Sequence, residues 1–287
     1  MIDFSPLAAL PPLPASLPYR IFDAHTHTYP APIAARATEA LGHFYDFPVQ
    51  GEGTYDDLAK CGRACGYDGF LLFCVATNAH QVQKVNDSIA ALTARAKNEG
   101  FLAVGLAGMH QSYPDMIGEL ERCAELGLGG VKLHPDIQQV DVDDPVLLPL
   151  YERMEQMDQL LYLHAGDNRV QYRFSSPDKI ARIASLFPHL RIVAAHLGGY
   201  RAWEEGKCLH RLDNLFTDCS SALWAMSPDR GAELIRAWGV DRVLYGSDYP
   251  VLTPEQHLRL FLTLPLTESE RETVLYRSAA SLLGLPR

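Results

Sequence analysis

Short segments rich in β-branched or aromatic residues alternate along this chain with longer segments of helical periodicity, and this alternation constrains the fold most. Eight candidate strands recur at a regular spacing: Tyr19–Ala24, Gly69–Val75, Phe101–Ala107, Gly130–Leu133, Leu160–Leu163, Arg191–Ala195, Leu215–Asp218 and Arg242–Tyr245. Between them apolar residues recur at helical spacing, as at Val82, Val85, Ile89 and Leu92. Eight strand–helix units predict a parallel sheet closed into a (β/α)8 TIM barrel of the α/β class. An open doubly wound sheet is less favoured, because no G-x-G-x-x-G follows the first strand.

The length suits one such barrel. The chain has 287 residues, of which 47% are hydrophobic and 21% charged, so it can bury a large core. No linker or internal repeat divides it, and we predict a single barrel domain over residues 19–287. Residues 1–18 are apolar, rich in proline and without a basic start, which predicts an extended surface arm rather than a signal peptide. This arm suits wrapping a neighbouring subunit of a homo-oligomer, or packing on its own barrel.

Charge and cysteine content restrict the classes of partner. The net charge is 25 − 35 = −10, without a block of basic residues, which argues against nucleic acid and anionic membrane surfaces as partners. No apolar run approaches the ~18 residues of a membrane-spanning helix. The six cysteines form no C-x-x-C pair and are expected to be reduced thiols of a cytoplasmic protein. A small molecule is therefore the expected partner.

The connection between the first two strands is unusually long. It runs from His27 to about Gly69 and carries clustered aromatic residues at Phe44, Tyr45 and Phe47. In a barrel this connection emerges on the face that holds active sites, so we predict a lid or a wall of the substrate site. The alternative is a surface insertion that packs on its own small core.

Histidines at the end of the first strand suggest a metal site. The strand ends in Phe22–His27, in which His25 and His27 are two residues apart and therefore project to the same side, about 6–7 Å from each other. Two neutral imidazoles at a barrel mouth suit Zn²⁺ and similar transition metals. An H-x-H pair alone is a weak signal, because it occurs often by chance.

Other strands also end in polar side chains. Lys132 and His134 share one face at the end of the fourth strand, and the fifth, sixth and eighth end in His164, His196 and Asp248. The carboxyl ends of the strands are where (β/α)8 enzymes hold their reacting groups. Any one of these residues has a structural explanation as a hydrogen-bonded core residue, but five strands that end in this way together indicate an active site.

At this point the sequence resembles the amidohydrolase superfamily, and within it the amidohydrolase-related branch that includes aminocarboxymuconate-semialdehyde decarboxylase and its decarboxylase and hydrolase relatives. The resemblance runs from about Ile21 to the C-terminus. The motifs that carry it are FDAHTH (Phe22–His27), GVKLHP (Gly130–Pro135), LHAGD (Leu163–Asp167), FPHLRIVAAHLGG (Phe187–Gly199) and YGSDYP (Tyr245–Pro250).

The resemblance implies a metal-dependent barrel with one divalent metal ion. Its ligands would be His25, His27, His164 and Asp248, and His196 would be an unliganded acid/base or polarising group. Zn²⁺ is the first expectation, with Mn²⁺ and Fe²⁺ as alternatives. Relatives with two metals use the histidine of strand six as a ligand and add a carboxylated lysine, so Lys132 leaves a second metal open.

The resemblance also leaves two reactions open. The first is hydrolysis of a small amide, lactone or ester by an activated water, with Asp248 and His196 as catalytic residues. The second is non-oxidative decarboxylation of an unsaturated or aromatic acid at the same site. A substrate carboxylate would be bound by Lys132, His134 and Arg169, and a catalytically silent binding barrel is the remaining alternative.

Overall fold

The computed structural model describes Ile2 and residues 4–287 and contains parallel strands that alternate with helices. The strands are β1 Phe22–His27, β2 Gly69–Phe73, β3 Leu102–Gly105, β4 Ala107–Gly108, β5 Gly130–Leu133, β6 Leu160–Leu163, β7 Ile192–Ala194, β8 Leu215–Asp218 and β9 Val243–Leu244. β1–β3 form one parallel sheet and β4–β9 a second, in chain order. Leu106 separates β3 from β4, so these two strands together correspond to the third predicted strand.

The helices lie between the strands, as the periodicity of the sequence predicts. They are α1 Ala31–Tyr45, α2 Tyr55–Cys65, α3 Val82–Asn98, α4 Met116–Glu125, α5 Pro135–Gln138, α6 Leu148–Gln156, α7 Pro177–Leu186, α8 Trp203–Gly206, α9 Pro228–Trp238, α10 Pro254–Leu262, α11 Glu268–Glu272 and α12 Ser278–Leu283. Short 3-10 turns occupy Ser5–Ala9, Ala79–Gln81, Lys207–Arg211, Leu223–Ala225 and Val240–Arg242, and a π-helical turn Thr273–Arg277 precedes α12.

Backbone hydrogen bonds bring the first strand beside the segment that follows the last. The Ala24 amide donates to the Tyr245 carbonyl at 2.8 Å, and the Asp248 amide donates to the His25 carbonyl at 3.0 Å. Thr26 and Tyr249 form a further parallel bridge. The prediction of an α/β (β/α)8 fold is confirmed, although the strands form two sheets rather than one continuous closed ladder.

The first strand begins later than the sequence predicts. The Ile21 amide donates to the Asp68 carboxylate at 2.8 Å instead of to a neighbouring strand, so regular pairing starts at Phe22. The strand then continues through His27. His25 and His27 therefore lie within the strand, on backbone held by neighbours on both sides.

Alternate residues of each strand belong to two separate cores, which places one face inside the barrel and the other against the helices. In β6, Leu160 and Tyr162 pack in an inner cluster, whereas Leu161 and Leu163 pack in the outer one. Tyr276, just before α12, joins the inner cluster. The end of the barrel opposite the carboxyl ends of the strands is thus filled by apolar side chains, and the polar site is confined to one end.

The N-terminal arm packs on the carboxyl-end face of the barrel. Phe4 and Leu7 contact a small apolar cluster that includes Phe47 and Leu252, and the Ile2 amide donates to the Asp46 carbonyl at 3.0 Å. The 3-10 turn interrupts the extended conformation of this arm. The division into an arm and a barrel domain stays a prediction.

None of the helices in the described residues is long and apolar enough to cross a membrane. Within the same residues all six cysteines are free thiols.

Candidate metal-binding active site

A bulge in β1 sets the direction of its two histidines. The register with β2 shifts between Asp23 and Thr26, so β1 holds one residue more than its partner. His25 lies within the bulge and His27 beyond it, and their Nε2 atoms are 3.3 Å apart. Asp23 does not orient either ring: its Oδ1 accepts from the backbone amides of His25 and Ser247, at 3.2 and 2.9 Å.

Asp248 adds a carboxylate to this pair. Its Oδ1 lies 3.2 Å from His25 Nε2 and 3.6 Å from His27 Nε2. Its Oδ2 accepts a hydrogen bond from the Ser221 hydroxyl. Asp248, Ser221 and His196 all have positive φ angles, of 58°, 44° and 62°. Such strained backbone in residues other than glycine concentrates at functional sites, where the surrounding structure holds it in place.

Asp218, at the end of β8, fixes the ring of His25. Its Oδ2 lies 2.8 Å from His25 Nδ1 and accepts from the Tyr162 hydroxyl at 2.5 Å. Burial alone would raise the pKa of Asp218, but the adjacent His25 and the donors of Ser220 hold it well below its ordinary value. Asp218 is therefore a carboxylate, which makes His25 carry its proton on Nδ1 and leaves Nε2 free to bind a metal.

His196 and His164 form a contact beside the first group. His196 Nε2 lies 3.0 Å from His164 Nδ1, and His196 Nδ1 lies 3.0 Å from the Ser220 carbonyl. A carbonyl oxygen only accepts, so the proton on Nδ1 of His196 is fixed by Ser220. Ligating atoms of His25, His196 and Asp248 all lie within 4.8 Å of one another.

A second group of buried side chains surrounds His164. The rings of His134 and His164 stack at 4.0 Å, and the Tyr45 hydroxyl lies 2.8 Å from His134 Nε2 and 3.3 Å from His164 Nε2. Asp136 Oδ2 lies 3.9 Å from His164 Nε2. The structure thus places His164 between the His25 group and His134.

Lys132 lies beneath His25 and is almost fully buried. Its Nζ is 3.4 Å from His25 Nε2, and it lies 4.9 and 4.7 Å from the ring centroids of Phe73 and Tyr162. Burial lowers the pKa of Lys132 to about 8. A lysine of lowered pKa is more often neutral than an exposed one, and only the neutral amine can be carboxylated.

The donor set fits a divalent transition metal. Burial lowers the pKa values of His27, His134 and His164 well below their ordinary value and that of His196 to about 4. These rings are therefore neutral near pH 7, and neutral imidazole together with carboxylate oxygen is a donor set suited to Zn²⁺, Mn²⁺ or Fe²⁺.

A cavity of 780 Å³ opens directly above these groups. His25, His27, His134, His164, His196 and Asp248 line its polar end. Much of its remaining wall comes from α1, in the long connection after β1. The long connection after β1 therefore forms a wall of the cavity, which is the first of the two alternatives given for it above.

Two of the predicted substrate-binding residues do not line this cavity. Lys132 is covered by the rings described above. Arg169 donates to both oxygens of Asp167, at 3.0, 3.1 and 2.6 Å, and to the Phe44 carbonyl at 2.5 Å, so it ties the loop after β6 to α1. Of the predicted set only His134 is a wall residue, and substrate contact by Lys132 and Arg169 stays a prediction.

Sequence reasoning assigned no role to several residues that the structure brings into the site. Asp218 ends a strand and so carried a recognisable signal. Ser221 lies in a connection, where no periodicity marks it, and Tyr45 was expected only as part of the aromatic cluster of the long connection, without a contact to the histidines. Arg36 and Lys84 lie on two helices far apart in the chain, and both line the cavity.

A comparison with known proteins identifies a relative by sequence. The chain is 26% identical over 241 residues to a 2-amino-3-carboxymuconate-6-semialdehyde decarboxylase of Dictyostelium discoideum, and the match covers 71% of this chain and 66% of that protein.

Two solved structures show the fold. An uncharacterised TIM-barrel protein of Bordetella bronchiseptica is 23% identical, with a TM-score of 0.73 over 93% of this chain and 99% of its own. A dihydroxybenzoic acid decarboxylase of Polaromonas, solved with bound manganese and an inhibitor, is 16% identical, with a TM-score of 0.71 over 94% and 98%.

The model of the amidohydrolase family matches residues 22–285. This range includes every residue of the site described above and none of the N-terminal arm. The chain therefore belongs to the amidohydrolase family.

Proposed function

We propose that this protein is a metal-dependent, non-oxidative decarboxylase of a small aromatic or unsaturated carboxylic acid. The observation that carries the proposal is the similarity to a carboxymuconate-semialdehyde decarboxylase over 71% of the chain. The dihydroxybenzoic acid decarboxylase among the structural relatives adds support. Hydrolysis, the first expectation from the sequence, uses the same residues and is the competing outcome of the test.

One divalent metal ion would be held by His25, His27 and Asp248, with His164 as the predicted fourth ligand. His196 is a competing ligand, because it lies within 4.8 Å of His25 and Asp248. When bound, the metal supplies positive charge that orients the substrate and stabilises negative charge in the transition state. Zn²⁺ is the expectation from the donor types, and the manganese in the Polaromonas relative supports Mn²⁺ as the alternative.

The reaction requires a proton for the carbon atom that loses CO2. The bond between the carboxylate carbon and the adjacent carbon breaks, its electron pair stays on the adjacent carbon, and that carbon takes up one proton as CO2 leaves. We assign delivery of this proton to Asp248 or His196, since both line the polar end of the cavity, and the group that delivers it first takes the proton up from solvent. Ser221 holds the Asp248 carboxylate, and Ser220 fixes the His196 tautomer.

The test combines metal content with product analysis. Protein purified without chelator or nickel is analysed for metal per chain, and CO2 release is measured on hydroxylated benzoates and unsaturated acids, with amides and lactones in parallel. We expect about one metal per chain and CO2 release, both lost in His25→Ala. His80→Ala, which removes an exposed histidine outside the cavity, is the matched control.

Two results would change the proposal. Hydrolysis of an amide or lactone without CO2 release from any acid would replace decarboxylation with the competing reaction. About two metals per chain would indicate a carboxylated Lys132 and a liganded His196, as in relatives with two metals.

A further inference from the structure

Two cationic side chains line the cavity without a partner. Arg36 of α1 and Lys84 of α3 are both exposed wall residues, and neither forms an ion pair or a hydrogen bond with any residue that the structure describes. Among the described wall residues Asp248 is the single carboxylate, and it lies at the polar end beside His25. The two cations therefore face the cavity without a neutralising charge on its wall.

The face of α1 that meets the cavity is otherwise apolar. Its wall residues recur at intervals of three and four, the spacing of a single helix face: Ile33, Arg36, Ala37, Ala40, Leu41 and Phe44. An amphipathic helix usually buries such a face against a core. In the described structure only Ala34 of α1 is buried, and Ile33 is 40% exposed. Leu41 packs partly on the cluster of Phe4 and Phe47, so Ile33, Ala37 and Ala40 are the apolar residues of this face that a ligand in the cavity would cover.

Arg36 lies far along α1 from the polar end of the cavity. Nine residues separate Arg36 from Tyr45 along α1, which at 1.5 Å per residue is about 14 Å. The hydroxyl of Tyr45 contacts His134 and His164 at the polar end. A volume of 780 Å³ also falls in the range of pockets for drug-sized ligands, so a benzoate would leave much of the cavity unfilled.

We propose that Arg36 and Lys84 form a second anion-binding subsite, and that the aromatic or unsaturated acid of the proposed function carries an apolar extension that ends in a second anionic group. This inference rests on the proposed function for the acid group at the polar end. The distal anion would accept charge-assisted hydrogen bonds from the guanidinium and the ammonium. The apolar face of α1 would cover the middle of the molecule.

The test compares two acids of equal length that differ only in the distal group. Binding of decanedioate and of decanoate to the metal-loaded protein is measured by isothermal titration calorimetry at low salt. We expect decanedioate to bind about tenfold more tightly than decanoate, since hydrogen bonds between charged groups are the stronger class. Added salt should reduce this ratio, because the two cations are exposed and therefore screened.

Variants then locate the preference. Arg36→Gln and Lys84→Gln should each lower the affinity for decanedioate about threefold, and the double variant should bring the ratio of the two affinities to about one. Decanoate binding should not change. Lys60→Gln is the matched control, because Lys60 is an exposed lysine of α2 that does not line the cavity.

Three outcomes would overturn the inference. They are equal affinities of the two acids for the unmodified protein, an unchanged ratio in the double variant, and no binding of either acid. The outcome is separable from that of the proposed function. A preference for decanedioate that depends on both cations, in a protein that releases no CO2, would support the subsite and refute the reaction, whereas CO2 release without the preference would do the reverse.

Discussion

Replacing Asp218 with asparagine should impair metal binding through the tautomer of His25. The Asp218 carboxylate accepts five hydrogen bonds. The donors are His25 Nδ1 at 2.8 Å, the Tyr162 hydroxyl at 2.5 Å, the His196 amide at 3.2 Å, and the amide and hydroxyl of Ser220. An asparagine that keeps its oxygen toward His196 and Ser220 turns its NH2 toward His25.

The NH2 group only donates, so His25 Nδ1 would have to accept and the ring proton would move to Nε2. Nε2 is the atom that faces His27 and Asp248, and once protonated it no longer binds a metal. Loss of such an outer carboxylate costs 10- to 100-fold in metal affinity. That range corresponds to about 1.4–2.7 kcal/mol.

The assay is competition for Mn²⁺ or Zn²⁺ against a chromophoric chelator, with circular dichroism to confirm that each variant is folded. Tyr162→Phe is the matched control, because it removes another donor to Asp218 and leaves the acceptor for His25 in place. We expect this variant to bind metal within about threefold of the unmodified protein. A folded Asp218→Asn protein with unchanged metal affinity would refute the tautomer argument.

Two further predictions concern stability. Burial lowers the pKa of His257 to about 4 from an ordinary 6.5, so the unfolded chain takes up a proton that the folded one does not. The free energy of unfolding of the unmodified protein, relative to that of His257→Gln, should therefore fall by about 3 kcal/mol between pH 6.5 and 4. Urea unfolding of both proteins at each pH measures this difference, and a difference that does not change with pH would contradict the prediction. Gly246→Ala would place a Cβ 2.7 Å from that of His25, and we expect a loss of about 1–3 kcal/mol together with weaker metal binding. Gly129→Ala, whose Cβ would meet its nearest neighbour at 3.4 Å, should change metal binding little, and equal effects of the two substitutions would exclude a local cause.

The fold and the positions of the polar strand ends could be predicted because both depend on local patterns. Alternation of strand and helix fixes the layers, and a histidine that ends a buried strand such as β6 has a predictable location. The bulge in β1 left no such trace, because a bulge adds one residue without changing the composition of the strand. Simple alternation along the strand would place Asp23 on the face of His25, but Asp218, from a strand distant in the chain, orients that ring.

The positions of arginines relative to the cavity could not be predicted from the sequence. Arg169 follows strand β6 closely, which made it a candidate for substrate contact, but Asp167 lies two residues before it and pairs with it at 2.6 Å. Arg36 lies in the long connection, and its place at the cavity depends on how α1 is held over the barrel. Whether an arginine pairs with a nearby carboxylate or faces the cavity depends on distances in three dimensions. The order of residues in the sequence does not contain these distances.

The groups of the candidate metal site and the cavity wall formed by α1 come from different parts of the chain. The groups that would hold the metal and move the proton come from the ends of strands spread over most of the sequence, whereas much of the surface that would select the substrate comes from one continuous helix. Exchange of the cavity-facing residues of α1 other than Tyr45, which contacts His134 and His164, should therefore alter which acids are accepted and leave the reaction itself intact. Laboratory evolution for new substrates could begin with one short stretch of the gene.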